Sequence, residues 1–113
     1  MKSLVTLFSL VLLAPLASLS TDSARRYVYL TFANTKGVTK IDYTLTYNSG
    51  TRQKGFAGGF KNNSTTSRSV RKQILGTCSS GRCVYHAGVK NIQLSTTFVL
   101  KNGQRITQTK TLN

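Results

Sequence analysis

The run Thr39–Tyr47 alternates without interruption, with Ile41, Tyr43, Leu45 and Tyr47 on one side and Asp42, Thr44 and Thr46 on the other. Successive side chains leave a pleated backbone in opposite directions, so a period of two describes a strand with one buried face. The pattern recurs in Tyr27–Asn34, where Val28, Leu30 and Phe32 oppose Tyr29 and Thr31. It recurs again in Val89–Leu100, with Ile92, Leu94, Phe98 and Leu100 on one side. Turn residues stand between these runs at Asn34–Gly37, Asn48-Ser49-Gly50 and Ala87-Gly88. Asn102-Gly103 is a strong hairpin signal that pairs Val89–Leu100 with the Thr-rich, edge-like Arg105–Leu112. Arg52–Phe60 is glycine-rich, yet Phe56 and Phe60 share a face; glycine inside a strand predicts a bulge, a bend or close approach of a neighbour. Val70–Leu75 and Val84–His86 complete about seven short strands with no helical periodicity. The expected fold is all-β, a small antiparallel β-sandwich, with a small β-barrel as the alternative.

The N-terminal stretch has a different character. Lys2 precedes an apolar run from Leu4 to Leu16, followed by the small residues Ala17, Ser18 and Ser20. A basic start, an apolar stretch of about 7–15 residues and a small-residue exit describe a secretory signal peptide. A spanning helix needs about 20 apolar residues, and Pro15 interrupts this one. The expected division is therefore a signal peptide at 1–20, a short segment at 21–26 ending in Arg25-Arg26, and one β domain at 27–113. Arg25-Arg26 resembles a dibasic maturation site of the kexin type. The expected location is secreted and extracellular, with no transmembrane segment in the mature chain.

Cys78 and Cys83 are the only cysteines and His86 the only histidine, all within Gly76–His86. Export favours oxidation, and two cysteines allow one pairing. A disulfide closing so short a loop stabilises by roughly 2 kcal/mol on the chain-entropy model. It would shape the loop more than the domain. A metal site is disfavoured because only His86 could add a soft ligand, and no cofactor is expected.

Charge dominates the composition. The chain holds 16 Lys and Arg against two acids, Asp22 and Asp42, for a formal net charge of +14. Beyond residue 26 Asp42 stands alone, with no glutamate anywhere. Such a field attracts polyanions: nucleic acid, acidic polysaccharide, anionic membrane or an acidic partner. Lys54, Lys61, Arg68, Arg71, Lys72 and Arg82 concentrate in the middle of the sequence and form the candidate anion-binding set. Tyr27 and Tyr29, outward on their strand, offer stacking area of the kind that accompanies cations in nucleic-acid binders. Asn62-Asn63-Ser64 and Asn63-Ser64-Thr65 are overlapping sequons, so Asn62 and Asn63 are candidate glycosylation sites.

The same scarcity of acids limits catalysis. General acid–base chemistry needs two positioned titratable groups, and a glycosidase needs two carboxylates. A ribonuclease built on two histidines, or on histidine and glutamate, cannot be assembled. His86 with Asp42 is the one conceivable pair, and Asp42 is expected to face solvent beside a lysine. Cys83 lies three residues from His86, but oxidation removes the thiolate that a nucleophile would need. Ser79-Ser80-Gly81 beside Arg82 has the look of an anion-cradling loop, yet no helix follows to supply an N-terminus.

A leader, a dibasic pair and a small stapled β domain together resemble the small secreted effectors of plant-associated fungi, a layout shared with the ToxA-like and MAX effectors. That resemblance implies a compact β-sandwich and a host partner. The expected function is accordingly that of a secreted, strongly basic, non-enzymatic interaction protein, effector-like, binding a host protein or polysaccharide. The alternative is a cationic toxin or antimicrobial protein acting on anionic membranes or polymers. A secreted ribonuclease-type hydrolase ranks third.

Overall fold

A computed structural model describes residues 14–63 and 65–113. Met1–Leu13, the greater part of the expected leader, and Ser64 lie outside the described residues. Among the described residues nine strands follow in order: β1 (Leu16–Thr21), β2 (Tyr27–Ala33), β3 (Val38–Ser49), β4 (Arg52–Lys61), β5 (Arg68–Ile74), β6 (Gly76–Ser79), β7 (Arg82–Tyr85), β8 (Val89–Leu100) and β9 (Arg105–Leu112). They form a three-stranded sheet β1-β2-β5, a four-stranded sheet β4-β3-β8-β9 and the separate hairpin β6-β7. Every pairing is antiparallel, and the sheets do not close into a barrel. The architecture is a small β-sandwich.

The alternating side chains meet between the sheets. Val28, Leu30 and Phe32 from β2 are fully buried against Ile41 and Leu45 from β3 and Ile92, Leu94 and Phe98 from β8. Phe32 is the hub. Its ring centroid lies 5.8 Å from Tyr43, 5.8 Å from Phe60 and 6.2 Å from Phe98, so one side chain joins β2 to three strands of the facing sheet. The tilted and edge-on geometries are those aromatic quadrupoles favour. On one flank Gln108 of β9 clamps β1: its Oε1 accepts from Ala17 N–H at 2.9 Å and its Nε2 donates to Pro15 O. On the other, Arg71 of β5 lays its guanidinium over Phe60 of β4, 4.1 Å from the centroid.

Two strands exceed the sequence expectation. Leu16–Ser20, the expected end of the leader, forms most of β1 and pairs along β2 from Leu16↔Ala33 to Thr21↔Val28. β6 was invisible because Thr77, Cys78 and Ser79 are all exposed, and alternation marks a strand only where one face is buried. The glycines of β4 serve close approach without a bulge, since β3 and β4 stay in register from Lys40↔Lys61 to Ser49↔Arg52. Tyr43 lies across Gly58, where a Cβ would stand 2.6 Å from the tyrosine hydroxyl.

Two substitutions test this packing. A Cβ at Gly76 would fall 2.1 Å from Val84 O across the hairpin. Gly76→Ala is therefore expected to cost about 2–4 kcal/mol in urea unfolding. The Thr96 hydroxyl is buried on the core side of β8 with no hydrogen-bond partner. Thr96→Val keeps the shape and removes that unpaired group, so it is expected to stabilise by about 1 kcal/mol in the same assay.

Candidate functional site

β2 presents its buried residues to the core, so Tyr27, Tyr29, Thr31 and Ala33 face outward. Residues paired across an antiparallel ladder share a face, which lets the rows be read directly. Ser20, Tyr29 and Lys72 form one row; Ser18, Thr31 and Val70 the next; Leu16, Ala33 and Arg68 the third. Tyr27 stands opposite Ile74 at the end. The outer face of the three-stranded sheet thus carries hydroxyls along β1, tyrosines along β2 and cations along β5. Leu16 and Val70 are each 46% exposed upon it.

The hairpin completes this face at the Tyr27 end. Ser80 and Gly81 both take positive φ, 49° and 80°, the geometry of a two-residue hairpin turn. Cys78 and Cys83 are paired across it with Cα atoms 4.0 Å apart and are joined as a disulfide. Beyond the staple, Tyr85 meets Tyr27 edge-on at 5.9 Å, and their hydroxyls are 3.1 Å apart. Arg26 lies 4.9 Å over the Tyr85 ring and Lys72 lies 4.2 Å over the Tyr27 ring. Two phenols and two cations therefore form one cluster. The Tyr27 hydroxyl holds the Tyr85 phenol above its ordinary value of 10.0, with partial desolvation adding to the effect.

One of the two aspartates stands beside these cations and the other lies away from them. Asp22, in the turn between β1 and β2, accepts the backbone N–H groups of Tyr27 (3.0 Å) and Arg26 (2.9 Å) on Oδ1. The Tyr27 N–H is the main reason its carboxyl titrates below 3.8. Asp42 sits on the other sheet, 3.7 Å from Lys40, in the one ion pair among the described residues.

The six basic residues singled out from sequence do not form one patch. Lys72 and Arg68 stand on the outer face, but Arg71 between them turns to Phe60. Lys54 pairs with Tyr47 on the core-facing side of β4, and Lys61 pairs with Lys40 on the outside of the four-stranded sheet. Arg82 caps the hairpin opposite Ser79. Sequence reasoning missed Arg26 and Tyr85 as members of the cluster, since only the folded hairpin brings residue 85 to residue 27. Arg25, its partner in the dibasic pair, donates to Val89 O at 3.0 Å and to Asn113 O.

The remaining candidates take structural places. His86 Nδ1 shares a 2.7 Å hydrogen bond with the buried Tyr47 hydroxyl, whose own pKa is raised by burial. Asp42 lies five residues from Tyr47 along β3, about 17 Å away and on the opposite face, so no His86–Asp42 pair assembles. Asn62 is half-buried and its Nδ2 donates to Thr35 O (3.1 Å) and Val38 O (2.9 Å). Asn63 is exposed, and its Oδ1 accepts from Thr65 N and Thr65 Oγ1. Among the described residues no three His, Cys, Asp or Glu side chains come together as a metal site would require. At the far end of β2, a cleft of about 610 Å³ is lined by Pro15, Leu100 and Ile106 together with Lys36 and Lys101. No protein-family model matches the chain, and no curated protein or solved structure matches it significantly.

Two titrations follow from these contacts. Tyr27→Phe removes the hydroxyl partner, so Tyr85 is expected to titrate closer to 10.0 by ultraviolet absorbance. Asp22 has a depressed folded pKa, so its contribution to stability is present above the ordinary value and lost as pH falls through the lowered one. Unfolding followed between about pH 5 and about pH 2 should show that acid loss in the wild type and a smaller one in Asp22→Ala.

Proposed function

We propose that the protein is a secreted, basic, non-enzymatic binding protein, effector-like in layout, that takes an acidic polysaccharide on the outer face of the three-stranded sheet. The observation that carries this reading is the Tyr27–Tyr85–Arg26–Lys72 cluster, continued by Tyr29 and Arg68 along the same face. Tyrosine rings offer an apolar body for a sugar face and a hydroxyl for its edge. Ser18, Ser20 and Thr31 add hydroxyls in the neighbouring rows. Lys72, Arg68 and Arg26 supply charge-assisted hydrogen bonds to carboxylate or sulfate groups. The nearest acid, Asp22, turns its Oδ1 to the backbone N–H groups of Arg26 and Tyr27. With one histidine and two separated aspartates, binding accounts for this chain better than hydrolysis. A glycan on Asn63 would lie on the β4–β5 loop, away from the tyrosines.

A second reading, a cationic toxin acting on anionic membranes, draws on Val84. It is 65% exposed on β7 of the stapled hairpin, opposite Thr77 and two residues from Arg82.

The test is titration of the full chain with a sulfated polysaccharide, a neutral polysaccharide and single-stranded RNA at about 50 and about 200 mM salt. Affinity for the sulfated polymer is expected to fall about 10- to 100-fold over that range, as a few ionic contacts require. Lys72→Ala and Tyr29→Ala should each weaken it by about tenfold, while Lys61→Ala on the other sheet should leave it nearly unchanged. Equal losses at Lys61 and Lys72, or tighter binding to RNA, would reject the reading. Leakage from anionic vesicles at concentrations where no polysaccharide is held would favour the toxin.

A further inference from the structure

We propose that β1 is a permanent strand of the finished protein and that Arg25-Arg26 is a structural latch, so that any leader is removed at or upstream of Leu16. A cut after Ser20 would remove nearly all of β1. Ala17, 1% exposed, and Leu19 pack into the core from this strand. All of the β1 ladder to β2 except Thr21↔Val28 would go with them, and β2 would become an open edge with a row of unpaired N–H and C=O groups. The clamp from Gln108 to Pro15 and Ala17 would lose both partners. Ser18 and Ser20, from two rows of the outer face, would be lost as well.

The dibasic pair is held more firmly still. Arg25 takes φ 52° in a turn closed by its N–H to Asp22 O at 3.1 Å, whereas an endoprotease needs an extended segment across the bond it cuts. Both sides of the Arg26–Tyr27 peptide bond are engaged. The Arg26 carbonyl accepts Leu75 N–H at 2.8 Å, and the Tyr27 N–H donates to Asp22 Oδ1 at 3.0 Å. The two guanidiniums are also in use: that of Arg25 ties the turn to Val89 O and Asn113 O, and that of Arg26 lies over Tyr85. Cleavage there would free Arg25 from β8 and from the C-terminal residue. It would also strand the Tyr27 end of the aromatic cluster.

Expression of the full chain in a secretory host, followed by intact mass and N-terminal sequencing of the folded product, tests the boundary. A first residue at Leu16 or earlier is expected; any folded product beginning after Leu16 overturns the proposal. A dibasic-specific endoprotease tests the latch without a variant. The native chain is expected to be cut at Arg26–Tyr27 about 100-fold more slowly than a free peptide spanning residues 20–32. Comparable rates would show that the turn offers no protection and would overturn it.

Discussion

Phe32 is the constraint on which the sandwich rests. It is fully buried on the middle strand of the small sheet, and its ring meets Tyr43, Phe60 and Phe98 from three strands of the facing one. Truncating such a residue typically costs about 3–5 kcal/mol, because the cavity it leaves closes only in part. With Phe32 pointing inward, the pleat leaves Tyr27, Tyr29 and Thr31 no direction but outward. The core contact and the candidate binding face are therefore two consequences of one register. A slip by a single residue would exchange them.

The hairpin β6-β7 extends that logic with few resources. Its residues are largely exposed, so burial contributes little and the disulfide with the positive-φ turn fixes its shape. It is tied to the body where Leu75, fully buried, accepts His86 N–H at 2.9 Å and donates to Arg26 O at 2.8 Å. From that anchor Tyr85 reaches Tyr27, and Arg26 reaches Tyr85. The cationic cluster is thus assembled from three segments that are distant in sequence. Positive charge meets aromatic surface at Lys72 and Arg26, whereas Lys40 pairs with Asp42 and Lys61 stands opposite Lys40 on the other sheet.

Much of the architecture was legible in the sequence. Alternation in Tyr27–Asn34, Thr39–Tyr47 and Val89–Leu100 identified the buried faces of β2, β3 and β8, and Asn102-Gly103 located the β8–β9 hairpin. β1 was not legible as a strand, because a small apolar segment after an apolar run reads equally well as a leader's exit. β6 was hidden by having no buried face. The six mid-chain cations, gathered between residues 54 and 82, are divided by strand alternation and by the opposite sides of two sheets. Arg71 and Lys72 show it most plainly: neighbours in the chain, one covers Phe60 and the other covers Tyr27. Sequence proximity cannot separate such residues, whereas the register does so at once.

The central claim is that one face, and not the overall charge, does the binding. The most direct measurement is a residue-resolved amide footprint of an acidic oligosaccharide on the isotopically labelled full chain by nuclear magnetic resonance. The account predicts that the largest shifts fall at Tyr27, Tyr29, Arg68, Lys72 and Tyr85, with little change at Lys40 and Lys61. Shifts spread evenly over the lysines and arginines of both sheets would contradict it.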